Sequence, residues 1–320
     1  MSETGGLRTV RIATLNAGLL RLQLGRWTLF EPVPRVNERI AGLARLLGAL
    51  DVDVLAMQEV FVRGARTRLV DQLCATFPNA AFADSSSWVG NGLVTLSRHP
   101  IEDSEFQRFD HDFMMVRPFA TFGLLRTRVR LPDGPPLQLF NTHLTAGPFG
   151  DPERGRVERM RDRQIRQLLD AADAQAAPVV LTGDFNAGPD VSTDNYRRFA
   201  AAGFVDAFDQ AENHGSPLRA TWTPENALTH TGPHSSSPPQ RIDHVFVRGA
   251  ADPAASCVTI ADAVDRAGAP LSDHRLVVAD LRLPGRRDGP PEGDRASGSR
   301  TEGGGPPAAP TGGSGNRGPC

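Results

Sequence analysis

The sequence predicts an α/β domain with mixed sheets, on three observations. Apolar runs of strand length alternate with stretches of helical periodicity over residues 8–284. Two longer strands are joined by the turn Pro132-Asp133-Gly134-Pro135, which makes a hairpin and requires antiparallel pairing. The apolar runs also end again and again in a carboxylate, an amide or an imidazole, as in Val179-Val180-Leu181-Thr182-Gly183-Asp184-Phe185-Asn186. Residues i and i+2 of a strand point to the same side, so Asp184 and Asn186 can face one pocket at the strand's C-terminal end. Taken alone, that segment reads equally well as an Asx-turn closing a strand.

Residues 10–15 alternate apolar and polar and deliver Asn16 at the end of a first strand. Val36, Ile40, Leu43, Leu47 and Leu50 recur at helical spacing, with Arg35, Glu38, Arg39 and Arg45 on the opposite face. A buried strand over residues 52–57 leads into Gln58-Glu59. A second helix is expected over residues 66–77, stopped by Pro78, and a strand over 92–97, stopped by His99-Pro100. The hairpin strands are placed at 119–131 and 137–144, the second carrying Phe140-Asn141-Thr142-His143-Leu144. A Gly/Pro loop over 146–151 opens a long helix whose Val157, Met160, Ile165, Leu168 and Leu169 face the core, and Arg159, Arg161, Arg163 and Arg166 read as its solvated face. A short helix over 194–202 follows the Gly-Asp-Phe-Asn run. Two last strands, over 241–247 and 276–283, carry Asp243 and follow Ser272-Asp273-His274.

Residues 1–7 are expected to be flexible, and residues 8–284 to form the catalytic domain. Residues 285–320 hold eleven Gly and six Pro, too little apolar surface to order themselves, so they read as a disordered tail. The balance of 35 basic against 37 acidic residues gives no electrostatic footprint for tight sequence-independent nucleic-acid binding. Cys74, Cys257 and Cys320 lack metal-type spacing and read as incidental thiols, with no disulfide framework. The polar N-terminus lacks the apolar stretch of a secretory signal, and no run reaches a membrane-spanning length. The expectation is a cytoplasmic monomer.

In chain order, Leu-Asn at Asn16, Gln-Glu at Glu59, Asn-Thr-His-Leu at His143, Gly-Asp-Phe-Asn at Asp184 and Asn186, Arg-Ile-Asp-His at Asp243 and Ser-Asp-His at Asp273 and His274 form one set of segments. This set resembles the endonuclease/exonuclease/phosphatase superfamily, the deoxyribonuclease I fold, across residues 8–284. The resemblance implies a four-layer α/β sandwich, with two mixed sheets packed face to face and helices outside, and Mg²⁺-dependent hydrolysis of phosphate esters in which Mn²⁺ can substitute. It implies that Glu59 with Asn16 holds the metal, and that Asp184 positions or deprotonates water while Asn186 contacts the scissile phosphate. It further implies that His274, oriented by Asp243, stabilises or protonates the phosphorane-like charge, and that Asp273, as a further metal ligand, and His143 complete the shell. The chemistry asks for the same residue types. An anionic diester repels hydroxide, so carboxylates must hold a hard cation, a base must align water, and an imidazole suits the developing oxyanion.

Flanking segments resemble neutral sphingomyelinases within that superfamily: Gln58-Glu59-Val60-Phe61, Phe77-Pro78, residues 97–101 as Ser-x-x-Pro-Ile, and Thr221-Trp222-Thr223-Pro224-Glu225-Asn226. The substrate implied is a phospholipid head-group diester or another small diester, the alternative being nucleic acid cut by a deoxyribonuclease I-like nuclease. Arg117 opens a strand where related enzymes place a phosphate-contacting Arg, and it reads equally as an exposed residue before a proline.

Overall fold

The computed structural model describes residues 6–24, 27–84, 90–110, 121–147, 154–176, 178–229, 236–251, 254–285 and 314–317. Arg117 therefore lies outside the described residues, as do residues 1–5 and most of the tail.

In chain order the elements are β1 (Leu7–Asn16), β2 (Leu22–Leu24), β3 (Trp27–Phe30), α1 (Val36–Gly48), β4 (Val54–Gln58), α2 (Arg63–Leu73), β5 (Asn79–Ala83), β6 (Val94–Ser97) and β7 (Ile101–Arg108). They continue with β8 (Gly123–Val129), β9 (Leu137–His143), α3 (Arg154–Asp173), β10 (Val179–Asp184), α4 (Thr193–Ala201), β11 (Val205–Asp206), β12 (Ala211–His214), β13 (Asp243–Arg248), β14 (Ala255–Ala261), β15 (Leu276–Pro284) and β16 (Ser314–Arg317). Eight strands form one sheet in the order β12-β14-β15-β1-β4-β6-β5-β16, and six form another in the order β11-β13-β10-β9-β8-β7. Both are mixed: β1 runs parallel to β4 and antiparallel to β15, and β10 runs parallel to β9 and antiparallel to β13.

The period of two along each strand builds the layers. Ile12 and Val54 of the first sheet meet Leu139, Val180, Val245 and Val247 of the second in one apolar layer between the sheets. Their neighbours point the other way. Ala13, Leu15, Leu55 and Met57 pack on Ile40, Leu43 and Leu47 of α1 and on Leu69 and Leu73 of α2. Val179, Leu181, Phe140 and Phe246 pack on Ile165 and Leu168 of α3 and Phe199 of α4. Three apolar layers separate four layers of structure, which is the expected sandwich.

Several details depart from the expectations. Arg161 is fully buried on α3, whereas Arg159, Arg163 and Arg166 are exposed. Its guanidinium donates to Thr145 O (2.9 Å), Gly147 O (2.7 Å) and Ser192 Oγ (2.6 Å), so it holds the loop that follows β9 and does not serve as a solvated face. Cys74 is disulfide-bonded and Cys257 is a free thiol. Within the expected tail, β16 runs antiparallel to β5 at the edge of the eight-stranded sheet. β7 and β14 were not legible as strands. β7 is an edge strand whose mostly exposed face carries Asp103 and Glu105 opposite Arg126, and charged edges of this kind blunt the apolar alternation that marks a strand. Among the described residues no helix is long and apolar enough to cross a membrane.

Candidate active site

The layer between the sheets changes character along its length. On β1 the inward positions run Ile12, Thr14, Asn16; on β4, Val54, Ala56, Gln58; on β9, Leu139, Asn141, His143; on β10, Val180, Thr182, Asp184. At the end where β1, β4, β9 and β10 all terminate, aliphatic packing gives way to polar side chains, and β13, running the opposite way, contributes Asp243 at its start. The floor of this polar end joins the two sheets. Gln58 Nε2 donates to Asn141 Oδ1 (2.7 Å) and Thr14 Oγ1 (3.1 Å), while Asn141 Nδ2 donates to Met57 O and Val94 O (both 3.0 Å).

Above the floor the expected residues converge. Asn16 Nδ2 donates to Glu59 Oε1 (3.1 Å) and to Asp184 Oδ2 (3.0 Å), which ties the two sheets' carboxylates together. Its Oδ1 accepts from Gly18 N (3.1 Å), so the amide is held from both ends while its N–H groups orient the two carboxylates. Asp184 Oδ1 accepts from Asn186 N (3.0 Å), which makes the Asx-turn reading correct as local geometry. Asp184 Oδ2 meanwhile lies 3.5 Å from His143 Nε2 and 3.8 Å from His274 Nε2. His274 Nδ1 pairs with Asp243 Oδ2 at 2.8 Å. Ser272 Oγ donates to Asn16 O (2.5 Å) and accepts from His274 N (3.0 Å), so the Ser-Asp-His segment is fastened to the end of β1.

Glu59 and Asn186 have positive φ, 57° and 48°, a conformation that costs a non-glycine residue of order 1 kcal/mol or more. Both bends re-aim a side chain just after a strand. Leu19 N donates to Glu59 O (3.2 Å) and Val60 N to Gly92 O (2.9 Å), and Asn186 Nδ2 donates to Leu144 O (3.0 Å), so the surroundings hold each bend in place.

Burial pushes the Glu59 carboxyl up, the like charge of Asp273 adds to this, and His143 and Asn16 oppose it. Burial by itself would lower His274, but Asp243, Asp184 and Asp273 together outweigh it and hold the imidazole well above its ordinary 6.5. Burial, then the charge of Asp184, also raises Asp243. With both partners raised, the Asp243–His274 pair holds its proton more tightly than either group would in water.

The donor set fits a cation. Oδ1 of Asp243, Oδ1 of Asp273 and Nδ1 of His143 are buried and have no hydrogen-bond partner among the described residues. Gly18 (φ +56°) lies under Asp273 in a cradle where a Cβ would come 2.6 Å from Oδ1. Asp184, Asp243 and His274 also bring ligand-type atoms within 4.8 Å of one another, of which the two carboxylates remain cation donors when the imidazole is protonated.

Sequence reasoning missed a second buried network behind the site. Asp206 Oδ2 accepts from Arg241 Nη1 (2.5 Å) and Tyr196 Oη (2.9 Å) and pairs with His244 Nδ1 (2.8 Å). His244 Nε2 lies 3.0 Å from Ala187 O, next to Asn186. The only signal was that Arg241 and His244 flank Asp243 in the Arg-Ile-Asp-His segment. Burial would raise Asp206, but His244 and Arg241 outweigh it and hold its carboxyl at about 2, below the ordinary 3.8. A depressed carboxylate stabilises the fold above its unfolded value, and that contribution is lost as pH falls through its folded value. Asp206→Asn is therefore expected to lower urea-unfolding stability by about 2 kcal/mol at neutral pH, and the difference from wild type should shrink between about pH 4 and about pH 2. A variant as stable as wild type at neutral pH would show that the network does not hold this wall.

The model of the Endonuclease/Exonuclease/phosphatase family matches residues 13–274. Sphingomyelin phosphodiesterase 2 of Mus musculus is 25% identical over 277 residues, covering 80% of this chain and 62% of its own length. The chain thus spans less than two thirds of that relative. Among solved structures, sphingomyelinase C from Streptomyces griseocarneus superposes with a TM-score of 0.67 at 21% identity, covering 86% of this chain and 99% of that one. A beta toxin variant from Staphylococcus aureus with bound magnesium ions gives a TM-score of 0.67 at 16% identity, covering 86% and 100%.

Proposed function

The chain belongs to the Endonuclease/Exonuclease/phosphatase family, whose members hydrolyse phosphodiesters, and from that premise we propose that it is a Mg²⁺-dependent phosphodiesterase acting on a phospholipid head group. The observation that carries this reading is the meeting of Glu59, Asp184 and the Asp243–His274 pair at the polar end of the inter-sheet layer. The lipid arm is supported by the likeness to sphingomyelin phosphodiesterase 2 and by a near-neutral charge, since a nuclease gripping several phosphates draws on a concentrated basic surface.

In this reading Glu59 and Asp273, with Asn16, would hold the cation, and the Asn16 N–H groups fix the direction of the Glu59 carboxylate. Bound there, Mg²⁺ would neutralise charge on the non-bridging oxygens and the leaving group. Asp184, anchored at both oxygens by Asn16 and Asn186, aligns the attacking water and accepts its proton. Protonated His274 donates from Nε2 to the oxygen on which charge develops, while Asp243 keeps Nδ1 occupied and the ring in register. His143, edge-on to Phe122 and facing Asp184, and Asn186 contact the phosphate from the second sheet.

Thermal unfolding tests the metal assignment apart from turnover. Glu59's folded value lies above 4.5, so its stabilising contribution is present below that value and lost as pH rises through the folded one. At neutral pH the ionised carboxylate is a cost that a cation relieves. Saturating Mg²⁺ should raise Tm by about 5 °C at about pH 7.5 and by less at about pH 5. Glu59→Gln should raise the metal-free Tm and abolish the Mg²⁺ shift. An unchanged shift in Glu59→Gln would remove Glu59 from the metal site.

The substrate is decided by one side-by-side assay of sphingomyelin vesicles against supercoiled plasmid, with Mg²⁺, with EDTA and with Glu59→Ala as control. Phosphocholine release that EDTA and Glu59→Ala abolish is expected. Plasmid nicking abolished by Glu59→Ala, without phosphocholine release, would replace the lipid reading with the nuclease one.

A further inference from the structure

His244 lies on the opposite face of β13 from Asp243, because neighbouring residues of a strand alternate. Asp243 points into the site, and His244 points away from it into the aromatic layer beneath α4. There its buried ring stacks on Phe246, with centroids 5.0 Å apart, and meets Phe185 at 5.9 Å and Tyr196 of α4 at 5.2 Å. Nδ1 pairs with Asp206 Oδ2 (2.8 Å), and Asp206 is itself fixed through its other oxygen, which accepts from Phe208 N (3.0 Å). Packing and this pairing account for the ring. They do not account for where Nε2 is aimed.

Nε2 lies 3.0 Å from Ala187 O and 3.1 Å from Arg241 O. Carbonyl oxygens only accept, so Nε2 carries a hydrogen and shares it between the two. The two carbonyls belong to the two segments that carry the chemistry. Ala187 follows Asn186 on the exit from β10, and Arg241 stands two residues before Asp243 on the entry to β13. Between them Phe185 N donates to Ile242 O (2.9 Å), and a Cβ on Gly188 would lie 1.9 Å from Arg241 O, so the segments touch backbone to backbone. A shift of one is therefore felt by the other. Asn186 depends on such a hold, since it sits at φ +48° while its N donates to Asp184 Oδ1 (3.0 Å).

We propose that His244 is a positioning residue for the hydrolysis, its Nε2 setting the spacing between the Asp184–Asn186 turn and the segment that carries Asp243. The proposal deepens the phosphodiesterase reading above and rests on it. Asp206 turns the ring so that Nε2 faces both carbonyls. Arg241 donates to Asp206 Oδ2 (2.5 Å) and to Asp209 Oδ1 (2.7 Å), so it is held at its side chain by the same carboxylate that directs the imidazole holding its carbonyl. The distances that depend on this tie lie on the other face of the sheet. Asp243 Oδ2 is 2.8 Å from His274 Nδ1, and His274 Nε2 is 3.8 Å from Asp184 Oδ2, so a turn that slides relative to the start of β13 moves the water-aligning carboxylate relative to the proton donor.

The test compares His244→Phe with His244→Gln in the full chain, at a temperature where far-UV dichroism shows both folded. Both lose the pairing with Asp206. Phenylalanine keeps the ring stack without a donor, whereas the glutamine amide brings N–H groups back to the neighbourhood of Nε2. His244→Phe should lower kcat on bis-p-nitrophenyl phosphate in Mg²⁺ by about tenfold or more, and His244→Gln should recover most of the loss. Amide hydrogen exchange reads the turn without turnover. The Phe185 and Asn186 amides should exchange about tenfold faster in His244→Phe than in wild type or His244→Gln, while the Ala17 amide, bonded to Gln58 O, stays equally protected in all three. A His244→Phe enzyme with wild-type kcat, equal losses in the two variants, or unchanged exchange at Phe185 and Asn186 in His244→Phe would each overturn the proposal. A wild type that hydrolyses no diester while the exchange pattern holds would sink the phosphodiesterase reading and leave the grip of His244 on the turn standing.

Discussion

His274→Ala is expected to lower kcat on bis-p-nitrophenyl phosphate by ~10² or more, the scale for losing a group that donates to charge in the transition state. KM should change far less, because the interaction strengthens only as charge develops. Asp184→Ala should cost a comparable factor. The pH profile separates the roles. His274 carries its proton because Asp243, Asp184 and Asp273 outweigh the burial that would otherwise strip it. Activity that needs protonated His274 is present below the folded value and lost as pH rises through it. Asp243→Asn removes the carboxylate 2.8 Å from Nδ1, so the imidazole should titrate lower and the alkaline limb of kcat/KM should move to lower pH. An Asp243→Asn enzyme with the wild-type profile from about pH 5 to about pH 9 would show that the dyad does not set this limb.

Gly183→Ala should be among the most damaging single-methyl additions in the chain. Gly183 sits on β10 at φ +135°, and a Cβ there would lie 2.0 Å from Thr142 O of the paired strand. An L-residue is strained in that conformation by roughly 1–2 kcal/mol, and overpacking against a fixed carbonyl adds about 1–3 kcal/mol. Urea unfolding should therefore report a loss of about 2–5 kcal/mol. Since the strand on either side carries Thr142-His143 and Asp184, hydrolysis should fall with stability. A Gly183→Ala protein with wild-type stability would mean that β9 and β10 can separate without cost. The glycine in Gly-Asp-Phe-Asn is thus a requirement of strand approach, and its service to chemistry is to let Asp184 and His143 stand side by side.

Much of this arrangement was readable beforehand, for a physical reason. Each of β1, β4, β9 and β10 has a polar residue at the end of a buried apolar run and β13 has one at its start, a placement that packing alone does not reward, and the order of those residues matched a known set of segments. What joins them was not readable. Asn16 and Asp184 meet across 168 positions of sequence, and no periodicity encodes which inward faces will oppose each other. Gln58 and Asn141 looked like neighbours of the functional residues, yet they are the cross-sheet floor. Arg39 and Arg161 carry the same charge as their exposed neighbours on α1 and α3, and only the loop carbonyls that fold over them reveal that they are buried. The β2–β3 hairpin escaped notice because strands of three and four residues are too short for alternation to register.

The passage from Ile12, Val54, Leu139 and Val180 to Asn16, Gln58, His143 and Asp184 within one layer divides the molecule's tasks along a single axis. Cohesion is concentrated at one pole and reactivity at the other, on the same four strands. Mutational tolerance should follow that axis. Volume-conserving exchanges at the aliphatic pole would shift melting temperature while leaving turnover per folded molecule untouched. Isosteric exchanges at the polar pole, such as Asp to Asn, would remove turnover from a protein that still folds. A library drawn from this layer should therefore separate into two phenotypes according to distance along the strands, which would let the protein be hardened against heat without re-optimising its chemistry.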